Sequence, residues 1–189
     1  TRRIVNNSED DICRMFNDEF RNVAGRSSPD LFPPGIAPGQ QELSAAIYAR
    51  VNNGVYRAGF ALRQKVYERA VRDIFGLLYE LETRLARRRF LLAESPVETD
   101  WRLFCTLVRF DAVYHGHFKC NIRRIVDYTH LQGFLQDLYQ MPGIRDTVNF
   151  DHIKRHYYMT HGEINPTRIV PVGPELHLDR PHGRTTFRG

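Results

Sequence analysis

An all-helical domain is the fold class that this sequence predicts, and three observations carry it. Apolar residues recur at spacings of three and four along most of the chain. No run of alternating apolar and polar residues extends beyond Arg3 to Val5, and the proline- and glycine-rich stretches fall between the periodic segments. With 42% apolar and 26% charged residues in 189, the composition is that of an ordinary globular chain with one sizeable core.

The elements follow in order. Residues 10–24 set Ile12, Met15, Phe16, Phe20 and Val23 on one face, with Asp10 and Asp11 in the first turn and Gly25 just past the end, predicting a helix. The next stretch, RSSPDLFPPGIAPG, holds four of the ten prolines and two glycines, so it is expected as an ordered loop or linker. A second helix is expected from about Gln41, with Leu43, Ile47 and Val51 as its stripe, weakening at Asn52, Asn53 and Gly54 before VYRAGF. From Leu62 to about Arg88 the positions Val66, Ala70, Ile74, Leu77, Leu78, Leu81 and Leu85 keep a helical period without proline, which predicts a central helix. Ser95 and Glu98 then stand three apart around Pro96, a capping box with proline at the first helical position, and Leu103, Leu107, Val108 and Phe110 continue as a buried helix. Further turns are expected over 120–127, 130–140 and 149–159, and from about Met159 an extended tail wraps the surface.

No internal repeat occurs at periods of 20 to 50 residues, and no stretch approaches 18 apolar residues, so no membrane helix is expected. The opening TRRIVNNSEDD lacks the apolar segment of a signal peptide, and a start at Thr1 is what a piece of a longer chain would show.

The net charge is +5, and only Lys65, Lys119 and Lys154 among its cations are lysines, a bias toward the planar fork of arginine. The densest cluster, RLARRR at 84–89, falls where the central helix ends and suits the negative end of its dipole. Nucleic-acid binding is not expected, because no aromatic residues interleave the run. Cys13, Cys105 and Cys120 are odd in number and far apart, which points to reduced thiols in a cytoplasmic setting rather than a disulfide frame.

Two constellations carry chemistry. His115, His117 and Cys120 lie close in YHGHFKC, and His152 and His156 lie one turn apart, yet no carboxylate completes a ligand set near either group, so no metal is expected. The phenols say more. Tyr56, Tyr114 and Tyr157 each adjoin histidine or arginine rather than a plain apolar stripe, and Tyr158 follows in the same RHYY run. Several such hydroxyls around one cleft would offer face, edge and donor to a flat, oxygenated aromatic ligand. Taken singly, a tyrosine of this kind is more often a half-buried packing residue.

The wording of four segments is recognisable: NNGVYRAGF, then ETDWRLFCTLVRFDAVYHGHFKCNIRRIVDY, NFDHIKRHYY and INPTRIVPVGP. From about Arg3 to Pro174 the sequence resembles the C-terminal half of the glutathionyl-hydroquinone reductases, the Xi class of the glutathione S-transferase superfamily. The resemblance implies a C-terminal-like helical bundle over 26–159, a remnant of a thioredoxin-like domain over 1–25 and an extended tail over 160–189. It implies glutathione as co-substrate, a glutathionyl-hydroquinone as substrate, and a homodimer formed through the helical domain, with no nucleic-acid or membrane partner. Position by position, Tyr56 matches the family's proton donor or acceptor to the quinol, and Tyr114 and Tyr157 match the tyrosines that lower the pKa of the nucleophilic thiol.

Three departures stand out. The family's C-P-W-A motif does not occur in the 189 residues, so the nucleophilic cysteine domain is expected to be missing and the isolated chain inactive; none of the three cysteines is expected to replace it. The glutathione-binding pair reads Glu-Ser in the family and Ser8-Glu9 here. Val97 stands where superfamily members usually place Ser or Thr as helix cap, with Ser95 offsetting it. The alternative expectation is a non-catalytic dimerisation or protein-interaction module of the same fold.

Overall fold

The structure, a computed structural model, describes residues 3–24 and 28–187. The expected stop at Gly25 and the boundary between residues 25 and 26 lie outside the described residues. Among the described residues the regular elements are helical and none is a strand.

Helix α1 spans Glu9–Asp18, and a short α2 covers Arg21–Ala24. The single helix expected here is divided because Asn17, a weak helix former, turns its side chain to the following loop, accepting from the Leu31 N–H at 2.8 Å. That loop is pinned: the Leu31 carbonyl accepts from Glu98 N at 3.1 Å and from Gln40 Nε2 at 2.8 Å.

Helix α3, Ala37–Ile47, starts four residues earlier than the pattern suggests, with proline in its first turn, where a missing N–H costs nothing. It does not stop at the asparagine pair. A π-helical turn over Tyr48–Asn52 carries the chain into α4, Asn53–Gly59. Asn52 holds that extra residue by donating to the Arg102 carbonyl at 3.1 Å and Thr106 Oγ1 at 2.6 Å.

The central helix is α5, Gln64–Leu85, with Ile74, Leu78 and Leu85 fully buried. Helix α4 lies directly on it because Gly54 has no side chain: a Cβ there would come within 2.9 Å of Ile74.

Helix α6, Glu98–Arg109, crosses the same core and ends in a second π-helical turn, Phe110–Tyr114. Its cap differs from the expected Ser95–Glu98 box. Asp100, fully buried, accepts from the N–H groups of Val97 and Leu91, each at 2.9 Å. Glu98 turns to Ser44 at 3.1 Å and Arg102 at 2.7 Å.

Helix α7, Thr129–Tyr139, is capped from outside by Glu82 of α5, whose carboxylate accepts from His130 and Leu131 N–H at 2.9 and 2.7 Å. Helix α8 covers Phe150–Thr160, with Asn149 as its cap. The turns expected over 120–127 reduce to Ile125–Asp127, held by Asp111 at 2.6 and 3.0 Å.

The tail corrects an expectation. It is not merely extended over the surface: Leu178 and Arg184 are buried, and Lys154 holds the carbonyls of Pro171 and Val172 at 3.0 and 2.9 Å. The guanidinium of Arg184 takes the carbonyls of Leu85 at 3.1 Å and Arg89 at 2.8 Å, together with that of Arg88. The cation that closes α5 therefore comes from the tail as well as from the RLARRR run, where Arg89 is engaged bidentately by Asp137 at 2.8 and 2.9 Å.

Candidate active site

The three tyrosines singled out in the sequence meet. Tyr157 Oη lies 2.6 Å from Tyr56 Oη and 2.7 Å from Tyr114 Oη, so the phenols form one row with Tyr157 in the middle. Each comes from a different place: Tyr56 from α4 just after the first π-helical turn, Tyr114 from the end of the second, Tyr157 from α8. Both irregular turns thus sit next to a site residue, a recurrent use of such turns.

One ring holds the three together. Phe118, fully buried, stacks on Tyr114 at 5.5 Å and meets Tyr56 and Tyr157 edge-on at 5.4 and 5.9 Å. Gly59 makes room for it, since a Cβ there would fall 2.3 Å from the Phe118 ring.

The row has a direction. Tyr114 is 3% exposed and its hydroxyl has Tyr157 as partner, so donating to Tyr157 is what keeps its proton bonded. Tyr157 then donates to Tyr56, and the Tyr56 proton is free to face the solvent, where that residue is 39% exposed. Burial and the neighbouring phenols push Tyr114 far above the usual tyrosine range, and burial pushes Tyr157 up to about 12. Both remain protonated donors at neutral pH.

A cleft of about 410 Å³ opens on the row, lined also by Glu9, Asn52, Arg102, Cys105 and Arg109. Glu9 and Ser8 separate here. Glu9 faces the cleft, whereas Ser8 caps α1, its Oγ accepting from Asp11 N at 3.2 Å. Cys105 lines the same cleft, although no cysteine was expected near the phenols. It is exposed, yet packing around its sulfur pushes the thiol up, against the pull of Arg109. Cys13 is likewise pushed up by burial, then by Glu98, and buried Cys120 is pushed up to about 12. None of the three is held as a thiolate.

Sequence reasoning missed Phe118, Arg109 and a histidine pair. The rings of His117 and His161 lie behind Phe118, with Nε2 and Nδ1 3.1 Å apart. Cys120 Sγ turns toward the Phe118 carbonyl at 3.9 Å. The YHGHFKC spacing was a signal for His117, but its partner lies 44 residues away.

Comparison with known proteins adds the lineage. A model of the glutathione S-transferase C-terminal domain matches residues 64–137. Glutathionyl-hydroquinone reductase YqjG of Escherichia coli (strain K12) is 51% identical over 96% of this chain and 55% of its own length. Glutathionyl-hydroquinone reductase PcpF of Sphingobium chlorophenolicum is 46% identical over 94% of this chain and 56% of its own. Among solved structures, glutathione-bound YqjG matches with a TM-score of 0.92 at 50% identity, covering 97% of this chain and 59% of that one. A Xi-class transferase from Natrialba magadii also gives 0.92, at 46% identity over 96% and 55%.

This chain resembles the glutathione S-transferases. It is similar to the Xi class and its glutathionyl-hydroquinone reductases, and it spans about half the length of the curated relatives it matches. The expected fold class, an all-α C-terminal half standing by itself, is corrected by the same finding. The solved chains are whole glutathione transferases, and an alignment taking in 97% of this chain leaves out too few residues to omit α1. The likeness is not confined to the helices after residue 26.

Proposed function

We propose that this chain carries the hydroquinone side of a glutathionyl-hydroquinone reductase, with glutathione as co-substrate. The observation that carries the reading is the row of three phenols opening through Tyr56 into a cleft. A flat quinol would lie against the aromatic wall, its oxygen accepting from Tyr56.

The chemistry divides between two groups. A thiolate of the C-P-W-A type, which the 189 residues do not contain, attacks the glutathionyl sulfur of the conjugate. The carbon–sulfur bond breaks, its electron pair stays on the quinol carbon, and a proton delivered through Tyr56 completes the C–H bond. A mixed disulfide remains on the cysteine, and a second glutathione thiolate releases it as glutathione disulfide. When the thiolate is present, Tyr157 turns its one proton from Tyr56 to the sulfur, and Tyr114 donates to Tyr157 from behind, so that the two phenols together hold down the pKa of the thiol. Glutathione is assigned to the start of α1, with Glu9 on the cleft wall and Ser8 beside it.

In this reading residues 1–25 belong with a thioredoxin-like domain, 26–159 are the helical domain and 160–189 the tail. The protein works as a homodimer in the cytoplasm, in keeping with its three free cysteines. No helix among the described residues is long and apolar enough to cross a membrane.

The test uses the 189-residue chain with glutathionyl-menadiol and glutathione, following free menadiol and, separately, menadiol binding by intrinsic fluorescence. Binding that weakens in Tyr157→Phe, without turnover, is the expected result. Turnover by the chain alone would remove the division of labour, and failure to bind menadiol would remove the site. A second reading, a docking module without catalysis, is favoured by one observation: Phe16 and Val23 near the start of the chain are 63% and 82% exposed. Light scattering separates the two, since a monodisperse dimer that takes up little hydrophobic dye speaks against a bare docking face.

A further inference from the structure

We propose that Arg109 sets the charge of the ligand in the tyrosine cleft, so that the site takes an aromatic bearing an oxyanion, an acidic phenol or a hydroquinone monoanion, in preference to the neutral phenol. The inference deepens the reading above and rests on it for the identity of the ring.

Two guanidinium groups line the cleft, and they differ in what they meet. Arg102 is buried and fully engaged: its Nε donates to Glu98 at 2.7 Å, and its Nη2 pairs with Glu98 at 2.6 Å and with Asp10. Arg109, two turns further along α6, has no carboxylate within ion-pair distance among the described residues. Its polar partners are both on Cys105: the carbonyl, which occupies Nη1, and the neutral thiol. A carbonyl does not neutralise a guanidinium, and most of its five N–H groups remain for something in the cleft.

The charge acts at the row. Arg109 works on the Tyr157 oxygen, easing its ionisation against the larger effect of burial. Glu9, the carboxylate that also lines the cleft from α1, acts instead on Arg102 and Cys105. His156 adjoins Tyr157, with ring centroids 5.0 Å apart, and adds no negative charge. The positive end of the cleft is therefore at Tyr157 and Arg109.

Nothing in the row answers that charge. Tyr114 and Tyr157 hold their protons firmly, so the anion that complements Arg109 has to arrive with the ligand. An aryl oxyanion would accept from the outward Tyr56 hydroxyl and sit against the guanidinium. A neutral phenol would occupy the same space and leave a half-buried charge unanswered.

The experiment titrates 4-nitrophenol, whose phenolate is yellow and whose phenol is not, bound to the 189-residue chain. Bound dye should ionise about one pH unit below free dye in the wild type, a tenfold preference for the anion. Arg109→Gln should abolish the shift, and Arg109→Lys, a point charge without the fork, should restore part of it. A bound dye that ionises at the pH of free dye, an unchanged shift in Arg109→Gln, or no binding at millimolar dye would each overturn the proposal. Competition by menadiol keeps the two readings apart. If menadiol displaces the dye but the shift is absent, only the role of Arg109 fails; if the shift depends on Arg109 but menadiol does not compete, Arg109 stands and the hydroquinone assignment fails.

Discussion

His117 Nε2 faces His161 Nδ1 across 3.1 Å, a separation that leaves room for one proton between the two rings. Burial, then the charges of His161 and Lys119, lower His117 to about 4, and burial with His156 lowers His161 as well. The unfolded chain takes up protons near 6.5, the folded chain only near 4, so this pair adds stability above about pH 6.5 that is lost as the pH falls toward 4. Unfolding free energies from urea titrations at several pH values should fall across that window by on the order of 2–3 kcal/mol. His117→Phe should flatten the slope; an identical slope in the variant would show that the pair is not its source.

The direction of the phenol row makes unequal demands on its members. Tyr157→Phe leaves the buried Tyr114 hydroxyl with no acceptor and should cost about 1–3 kcal/mol in urea unfolding. Tyr114→Phe removes the orphan along with the bond and should cost under about 1 kcal/mol. The reverse order of costs would mean that the protons point the other way.

Gly59 and Gly39 form a matched pair. A Cβ at Gly59 meets the Phe118 ring at 2.3 Å, whereas one at Gly39 meets nothing within 4 Å. Gly59→Ala should therefore lose about 1–3 kcal/mol and disturb menadiol binding by shifting the ring on which all three tyrosines rest, while Gly39→Ala should be neutral or better. Thermal unfolding and ligand fluorescence on the two variants decide it.

Replacing Arg184 by Met leaves the carbonyls of Leu85, Arg88 and Arg89 without their shared donor. A loss of roughly 2–4 kcal/mol is expected, with amide exchange accelerating first over 176–187. Unchanged exchange in the tail would show that Leu178 and the Lys154 contacts suffice to hold it.

Central helix α5 was legible because seven apolar positions keep one period over its length, and tertiary context had no reason to override them. The π-helical turns at Tyr48–Asn52 and Phe110–Tyr114 were not legible. Each adds a residue to a helix without any proline or glycine to mark it, and Asn52 is held by α6, some 50 positions on. The tyrosines were visible as residue types in unusual company, but their meeting depends on separations of 43 and 101 residues, which only the family resemblance supplied. Arg109 and Arg184 illustrate the limit. In a chain with so many arginines, one that lines a cleft without an ion pair and one that is buried against helix carbonyls look alike in one dimension.

The contact between Arg184 and Leu85 spans 99 residues, and it has a temporal side. A ribosome adding roughly 5–20 residues per second makes the last turn of α5 some 5–20 seconds before it makes the side chain that closes it. During that interval the helix end lacks the guanidinium that the tail supplies, so translation pauses downstream of residue 85 would prolong the period in which the nascent chain is open to proteases and chaperones.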